Sequence, residues 1–322
     1  MLLSRESLEE NQVGVYAVAL IIGGIVGLVS PRIGGLLEPL VSIVIAILLF
    51  SMFSQIPFLK LREALSNRRF IGALLLVNFI LIPLLVFILI KIFPQPSPVL
   101  IGVCLVLLTP CIDYVIVFTQ LGKGNEKLIL ASTPILFVVQ MIMLPIYLWL
   151  FIGTEASEIV RIGPFVEAFV YLIMVPLFFA LVIQFLAKRN AGGIKALHFT
   201  AWLPVPFMAI VLFLVIGSQI DKVVKDFSII VAVIPIYLLF HILSPVIARI
   251  ISALFGIGPS DGRALIFSAG TRNSLVVLPL ALTLPGEMAT VAASVVVTQT
   301  IIELLAELLY INLVPNYIYR EV

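Results

Sequence analysis

The apolar residues of this chain fall into long blocks separated by short polar intervals. Blocks run near Val13–Val29, Leu40–Phe58, Phe70–Phe93, Val99–Leu121, Leu128–Phe151, Phe165–Leu186, Leu197–Gly217, Phe227–Phe255, Ala264–Leu284 and Met288–Val314. About 20 apolar residues cross the hydrocarbon core of a bilayer. The pattern therefore predicts an all-α polytopic membrane protein with ten transmembrane helices joined by short loops. Two blocks carry polar interruptions: the fourth at Thr109-Pro110-Cys111-Ile112-Asp113 and the ninth at Gly270-Thr271-Arg272-Asn273-Ser274. Glycine and small polar residues let a membrane helix unwind and re-satisfy its freed backbone groups. Both interruptions read as broken helices.

The two halves resemble each other. Phe79-Ile80-Leu81-Ile82-Pro83 returns as His241-Ile242-Leu243-Ser244-Pro245, an offset of 162. At that offset Thr109 falls on Thr271, Gly124 on Gly286 and Ala131-Ser132 on Ala293-Ser294. Five spans is an odd number, so the second copy is expected to be inverted in the membrane. The repeats are residues 1–160 and 161–322, within one membrane domain and with no separate soluble domain. Inverted repeats with paired broken helices mark secondary transporters, whose site lies where the breaks meet.

Composition and charge agree. Hydrophobic residues make up 62% and charged residues only 11%, against about 25% charged in a soluble domain, so lipid must cover most of the outside. With the N-terminus cytoplasmic, thirteen of the 19 Lys and Arg lie on the cytoplasmic side; Arg32, Lys91, Arg161, Lys222 and Lys225 lie opposite and Arg272 lies in the membrane. That asymmetry predicts both termini inside. The formal net charge of +2 is too small to suggest nucleic acid. No glycine-rich phosphate loop with Lys-Ser/Thr is present, so direct ATP drive is not expected. No two histidines stand in metal-ligand spacing, and no cofactor is implied.

An intramembrane charge is a functional-site hypothesis by default. Arg272 is expected to pair with Asp113 across the two breaks or to receive an anionic or polar substrate. Thr109, Thr271, Asn273 and Ser274 offer oxygens at the breaks, and Asn273 and Ser274 are alternatively helix caps. Cys111 presents a thiol, a soft ligand once deprotonated, or is a small buried hydrophobe; Cys104 reads as packing. Gln299, Glu303 and Glu307 share one helix face by their i, i+4 spacing, and a carboxyl group there can carry a proton. Gln140 and Asn78 are supporting polar candidates. His241 reads as a satisfied packing residue. An enzyme is not expected: Asp113 is the one aspartate deep in a span, and His241 has no serine nearby except Ser244 on its own helix.

Thr109-Pro110-Cys111-Ile112-Asp113-Tyr114-Val115, followed by Val117-Phe118, resembles the Pro-Cys segment in the fourth span of the arsenite exporters of the bile acid:sodium symporter superfamily. Val295-Val296-Val297 through Ile302-Glu303-Leu304 resembles that family's last span, with its functional glutamate. The resemblance implies ten spans in two inverted five-span repeats, a core domain with crossed broken helices (spans 4 and 9) and a panel domain. It implies that Cys111 meets the trivalent arsenical and that Glu303 is the coupling carboxylate. The bile-acid branch has Gly-x-Gln-Asn-Ser at its second break, with a sodium-binding glutamate just upstream. Here Arg272 replaces the glutamine, Ser268 stands near the glutamate's place, and Ile112-Asp113 replaces a Ser-Asn pair. The break also differs from the Asn-rich one of the arsenite exporters, which points to a side branch labelled arsenic resistance.

The expectation is a secondary active transporter in the plasma (inner) membrane. It exports arsenite or a related small oxyacid or metalloid, driven by a proton or the membrane potential. The alternative is an ion-coupled symporter, sodium or proton, of a small organic anion whose carboxylate Arg272 takes. Either reading expects a small-molecule or ion substrate and a lipid bilayer as partners, and leaves the oligomeric state open.

Overall fold

The structure, a computed structural model, describes residues 8, 11–55, 67–112, 114–152, 169–225 and 227–320. The helices are α1 (Gln12–Val29), α2 (Pro31–Gln55), α3 (Arg68–Ile92), α4 (Ser97–Leu107), α5 (Val115–Leu121), α6 (Glu126–Ile152) and α7 (Val175–Ala187). They continue with α8 (Ala191–Thr200), α9 (Pro204–Lys225), α10 (Phe227–Leu254), α11 (Pro259–Gly270), α12 (Ser274–Leu282) and α13 (Glu287–Leu313). Among the described residues the β pairing is an isolated bridge between Pro110 and Arg272.

Among the described residues five helical stretches are long and apolar enough to cross a membrane: Arg68–Ile92, Glu126–Ile152, Ala191–Ser218, Ser228–Leu254 and Glu287–Ile318. The fourth and ninth apolar blocks do not appear among them because each is cut in two. α4 with α5, and α11 with α12, are halves of 11 and 7, and of 12 and 9, residues. Each half is shorter than the roughly 20 residues a single crossing needs. Large apolar side chains on the long helices point outward, such as Trp149 at 70% exposure and Leu254 at 74%. With the apolar composition, this is a multi-pass membrane protein.

The chain divides into two compact units, residues 1–55 with 162–227 and residues 56–161 with 228–322. In the first, α9 packs against α1 and α2. The approach is close because glycines line it: a Cβ at Gly23 would lie 2.7 Å from the Phe213 carbonyl oxygen, and one at Gly34 would lie 2.5 Å from that of Gly217. Membrane helices approach this way where small residues leave the backbone bare. Gln184 of α7 donates to the carbonyls of Phe53 and Ser54, 3.0 and 3.1 Å, and so satisfies carbonyls at the end of α2.

In the second unit α13 packs along α4 and α12. Gly102 of α4 makes room for the Ala292 carbonyl. Pro83 removes a backbone donor from α3, and the helix answers with a π turn over Val77–Leu81 that carries Asn78.

Arg263 corrects the sequence reading. Apolar patterning places it in a loop before a span starting at Ala264. Instead α11 starts at Pro259, a residue preorganised for a first helical turn, and Arg263 is 1% exposed. Its Nε and Nη2 donate to the Tyr319 carbonyl at 3.0 and 2.8 Å, and its Nη1 to the Lys123 carbonyl at 3.0 Å. The charge is tolerated inside because main-chain oxygens take its hydrogens.

Candidate functional site

Proline makes the first break. Pro110 has no N–H and disfavours helical geometry at Thr109, so α4 stops at Leu107. The Thr109 hydroxyl turns back to the Leu105 carbonyl at 2.9 Å. The second break follows Gly270. Thr271 turns back in the same way to the Phe267 carbonyl at 2.6 Å, and Asn273 caps α12 through Val276 N at 3.3 Å.

The two breaks meet. The Cys111 amide donates to the Thr271 carbonyl at 3.1 Å, and the Asn273 amide to the Thr109 carbonyl at 2.8 Å. Each bond joins residues that the other bond reproduces after a shift of 162 positions. The bridged pair, Pro110 and Arg272, is also 162 apart. Thr109, Cys111, Thr271, Arg272 and Asn273 are all 0% exposed, and Ser274 is 3%. Asp113, expected as the partner of Arg272, lies outside the described residues.

Arg272 is held through both its backbone and its side chain. Its amide donates to Glu303 Oε2 at 2.8 Å. Its Nη2 lies 2.9 Å from Asn78 Oδ1, 2.7 Å from the Ser268 carbonyl and 2.8 Å from the Ala269 carbonyl; its Nη1 reaches the Leu107 carbonyl at 3.4 Å. Leu107 ends α4, while Ser268 and Ala269 lie in the last turn of α11. Carbonyls at helix C-termini lack intrahelical donors and carry the negative end of the helix dipole. The guanidinium thus caps two half-helices, with the Phe240 ring 5.5 Å from its centre. Its Nε has no partner. Among the described residues the guanidinium's hydrogen-bond partners are these carbonyl oxygens and the Asn78 amide oxygen.

Glu303 gathers three donors on α13. Oε2 accepts from Arg272 N and from Gln299 Nε2 (2.6 Å), and Oε1 from the Tyr114 hydroxyl at 2.6 Å. Tyr114 also lies 2.9 Å from the Arg272 carbonyl. Glu307, one turn on, meets the Thr271 hydroxyl at 3.1 Å through Oε1, and its Oε2 has no partner.

The structure therefore joins Thr109, Cys111, Thr271, Arg272, Asn273, Gln299, Glu303 and Glu307 through one set of bonds. Asn78 proves a direct ligand of the guanidinium, its amide fixed by Leu74 O and Ser268 Oγ, both at 3.1 Å. Asn273 Nδ2, Ser274 Oγ, Gln299 Oε1 and both amide atoms of Gln140 are buried without partners, which leaves polar atoms for a ligand or water. Both cysteines are buried outside any disulfide. His241 is 4% exposed, yet neither ring nitrogen has a partner; it is buried but not satisfied, because its ring faces the aromatic rings of Phe240 and Tyr310. Tyr114 is not among the residues the sequence singles out. The signal present was a hydroxyl four residues beyond a Pro-made break.

The profile of the Sodium Bile acid symporter family matches residues 42–226, more than half of the chain. The chain belongs to that family. The matched stretch includes Asn78, Thr109, Cys111 and Tyr114, and ends before Arg272 and Glu303. Comparison with curated proteins found no match. Membership in the sodium bile acid symporter family makes this a membrane transport protein rather than an enzyme, and implies an ion or small-molecule substrate.

Proposed function

We propose that this member of the family is a secondary transporter exporting arsenite or a similar small oxyacid from the cytoplasm across the plasma membrane, driven by protons or the membrane potential. Cys111 meets the arsenical, Glu303 couples it to the driving ion, and both termini are cytoplasmic. The carrying observation is that Cys111 and Glu303 attach to adjacent residues of one break, Thr271 and Arg272. A thiolate suits a soft, thiophilic centre, and the unpartnered Asn273 Nδ2 and Ser274 Oγ suit its hydroxyls.

Ten spans in two inverted repeats belong to the same proposal. The reciprocal bonds between positions 162 apart support it, since a two-fold relation would make such bonds occur in pairs. The division into two units supports a core of spans three to five and eight to ten that works against a panel of spans one, two, six and seven.

The name of the sodium bile acid symporter family favours a second reading, sodium-coupled symport of an organic anion. Sodium does not fit the place Arg272 occupies: three carbonyls and Asn78 Oδ1, the kind of oxygens such a cation needs, already hold a guanidinium. Among the described residues the same commitment leaves Nε as the guanidinium nitrogen without a partner for a substrate carboxylate.

The test is arsenite resistance of an efflux-deficient host expressing wild type or Cys111→Ser. Protection by the wild type and its loss in Cys111→Ser are expected. No protection by well-expressed wild type overturns the arsenite reading, and sodium-dependent organic-anion uptake abolished in Arg272→Gln supports the rival.

A further inference from the structure

Glu303 and Glu307 are both 0% exposed and lie one turn apart on α13, yet they are held very differently. Three donors converge on the two oxygens of Glu303. Glu307 Oε2 has no partner, and Oε1 meets a single hydroxyl, that of Thr271, at 3.1 Å. That hydroxyl has one hydrogen and two acceptors in reach. The Phe267 carbonyl is the nearer, at 2.6 Å, and takes it. The contact between Thr271 and Glu307 is then a hydrogen bond only if Glu307 supplies the hydrogen.

Among the described residues no other donor is bonded to Glu307; the Arg272 Nε and the ring nitrogens of His241, free of partners, do not reach it. Glu303 and Tyr310 face Glu307 from its own helix, and Thr271 and Arg272 from the second break. The guanidinium of Arg272 is bound to Asn78 and to carbonyls of α4 and α11. The Tyr310 hydroxyl donates to the His241 carbonyl on α10. Across the site, Tyr114 donates to Glu303 or to the Arg272 carbonyl, and the Cys111 amide is bound to Thr271 O. An ionised Glu307 would be a buried charge without a single committed donor, the arrangement proteins avoid.

We propose that Glu307 is a proton-binding site: it rests as a neutral acid whose O–H donates to Thr271 Oγ1, while Glu303 rests as the carboxylate. Binding is the addition of one proton from water to the Glu307 carboxylate, and release returns it to water. Thr271 is the acid's one hydrogen-bonding partner and belongs to the break, so a movement of the break alters the hold on the proton. The role in transport rests on the proton-driven reading above; the occupancy of Glu307 does not.

The experiment is infrared spectroscopy of the purified full-length protein in an ester-free detergent near neutral pH, in H2O and D2O. It reads the deuterium-sensitive C=O stretch of protonated carboxyl groups. The wild type and Glu303→Gln are expected to show a band that Glu307→Gln lacks. Thr271→Val, which keeps the carboxyl group, is expected to shift the band to higher frequency through loss of the hydrogen bond, and it serves alone where Glu307→Gln does not fold. A band unchanged in Glu307→Gln, or unshifted in Thr271→Val, overturns the proposal. Arsenite takes no part in the measurement, so its failure and that of the export reading are seen separately.

Discussion

The amide of Arg272 donates to Glu303 Oε2 at 2.8 Å, while its guanidinium bonds to Asn78 and to carbonyls that end α4 and α11. One residue therefore ties a carboxylate to the break through its backbone and neutralises two helix ends through its side chain. The positive charge is part of the protein and cannot leave with a substrate.

That tethering makes a prediction about sodium. Arg272→Ala removes the guanidinium and leaves its oxygen acceptors unpaired, a loss of about 1–3 kcal/mol for each buried acceptor left bare. The melting temperature of the purified variant should fall in choline chloride and recover in sodium chloride, by about 1.4 kcal/mol at a tenfold excess of sodium over its Kd. The wild type should melt alike in both salts. A variant equally indifferent to sodium would show that these oxygens do not form a cation cage once the side chain is gone.

Glu303 separates charge from hydrogen bonding. A glutamine at this position can accept from Arg272 N and Gln299 with its oxygen and donate to Tyr114 with its amide, so Glu303→Gln should keep the breaks joined while losing transport. Glu303→Ala leaves the Arg272 amide and Gln299 Nε2 without their acceptor, which costs about 1–3 kcal/mol. Maleimide labelling of Cys111 in a Cys104→Ala background reads the difference. Labelling should stay slow in Glu303→Gln and rise about tenfold or more in Glu303→Ala, since about 1.4 kcal/mol is a factor of ten in an opening equilibrium. Equal labelling in both variants would count against Glu303 as the fastener.

Some of this site is legible in the sequence, and its limits have a physical cause. The offset of 162 anticipates the reciprocal bonds of Thr109 with Asn273 and of Cys111 with Thr271. It also anticipates, within one residue, that Tyr147 bonds the Phe79 carbonyl and Tyr310 that of His241. Side-chain chemistry names Arg272, Cys111 and Glu303 because few polar groups enter an apolar block. The partners of Arg272 stay hidden. Every residue has a carbonyl, and only the fold decides which ones are left bare. Asn78 joins them through a π turn that its own sequence does not announce.

Two glycines on neighbouring helices should respond oppositely to the same change. A Cβ at Gly102 would sit 2.9 Å from both the Ala292 carbonyl and Val295 Cγ1. Gly102→Ala must part α4 from α13, and overpacking of this kind costs about 1–3 kcal/mol. At Gly72 the added atom meets only Phe255 Cε1, at 3.5 Å, an ordinary contact, and alanine is the better helix former by about 1 kcal/mol. Thermal melting in detergent should show Gly102→Ala below the wild type and Gly72→Ala at or above it. The reverse order would contradict the close packing of α4 on α13.

Arg263 predicts a stability effect that leaves the crossing alone. It donates twice to the Tyr319 carbonyl and once to that of Lys123, while Arg249 donates to the Ile318 carbonyl at 3.2 Å and lies 4.2 Å from the centre of the Tyr319 ring. Together they fasten the turn that follows α13. Arg263→Met keeps the apolar stem and removes the donors, so both carbonyls lose a buried partner, at about 1–3 kcal/mol each. Hydrogen–deuterium exchange should quicken in residues 314–320 and in the loop at Lys123. Labelling of Cys111 should not change, because none of these bonds belongs to the breaks. Unchanged exchange at the chain end would remove Arg263 as its anchor, and faster Cys111 labelling would show that the two sets of bonds are coupled through α11.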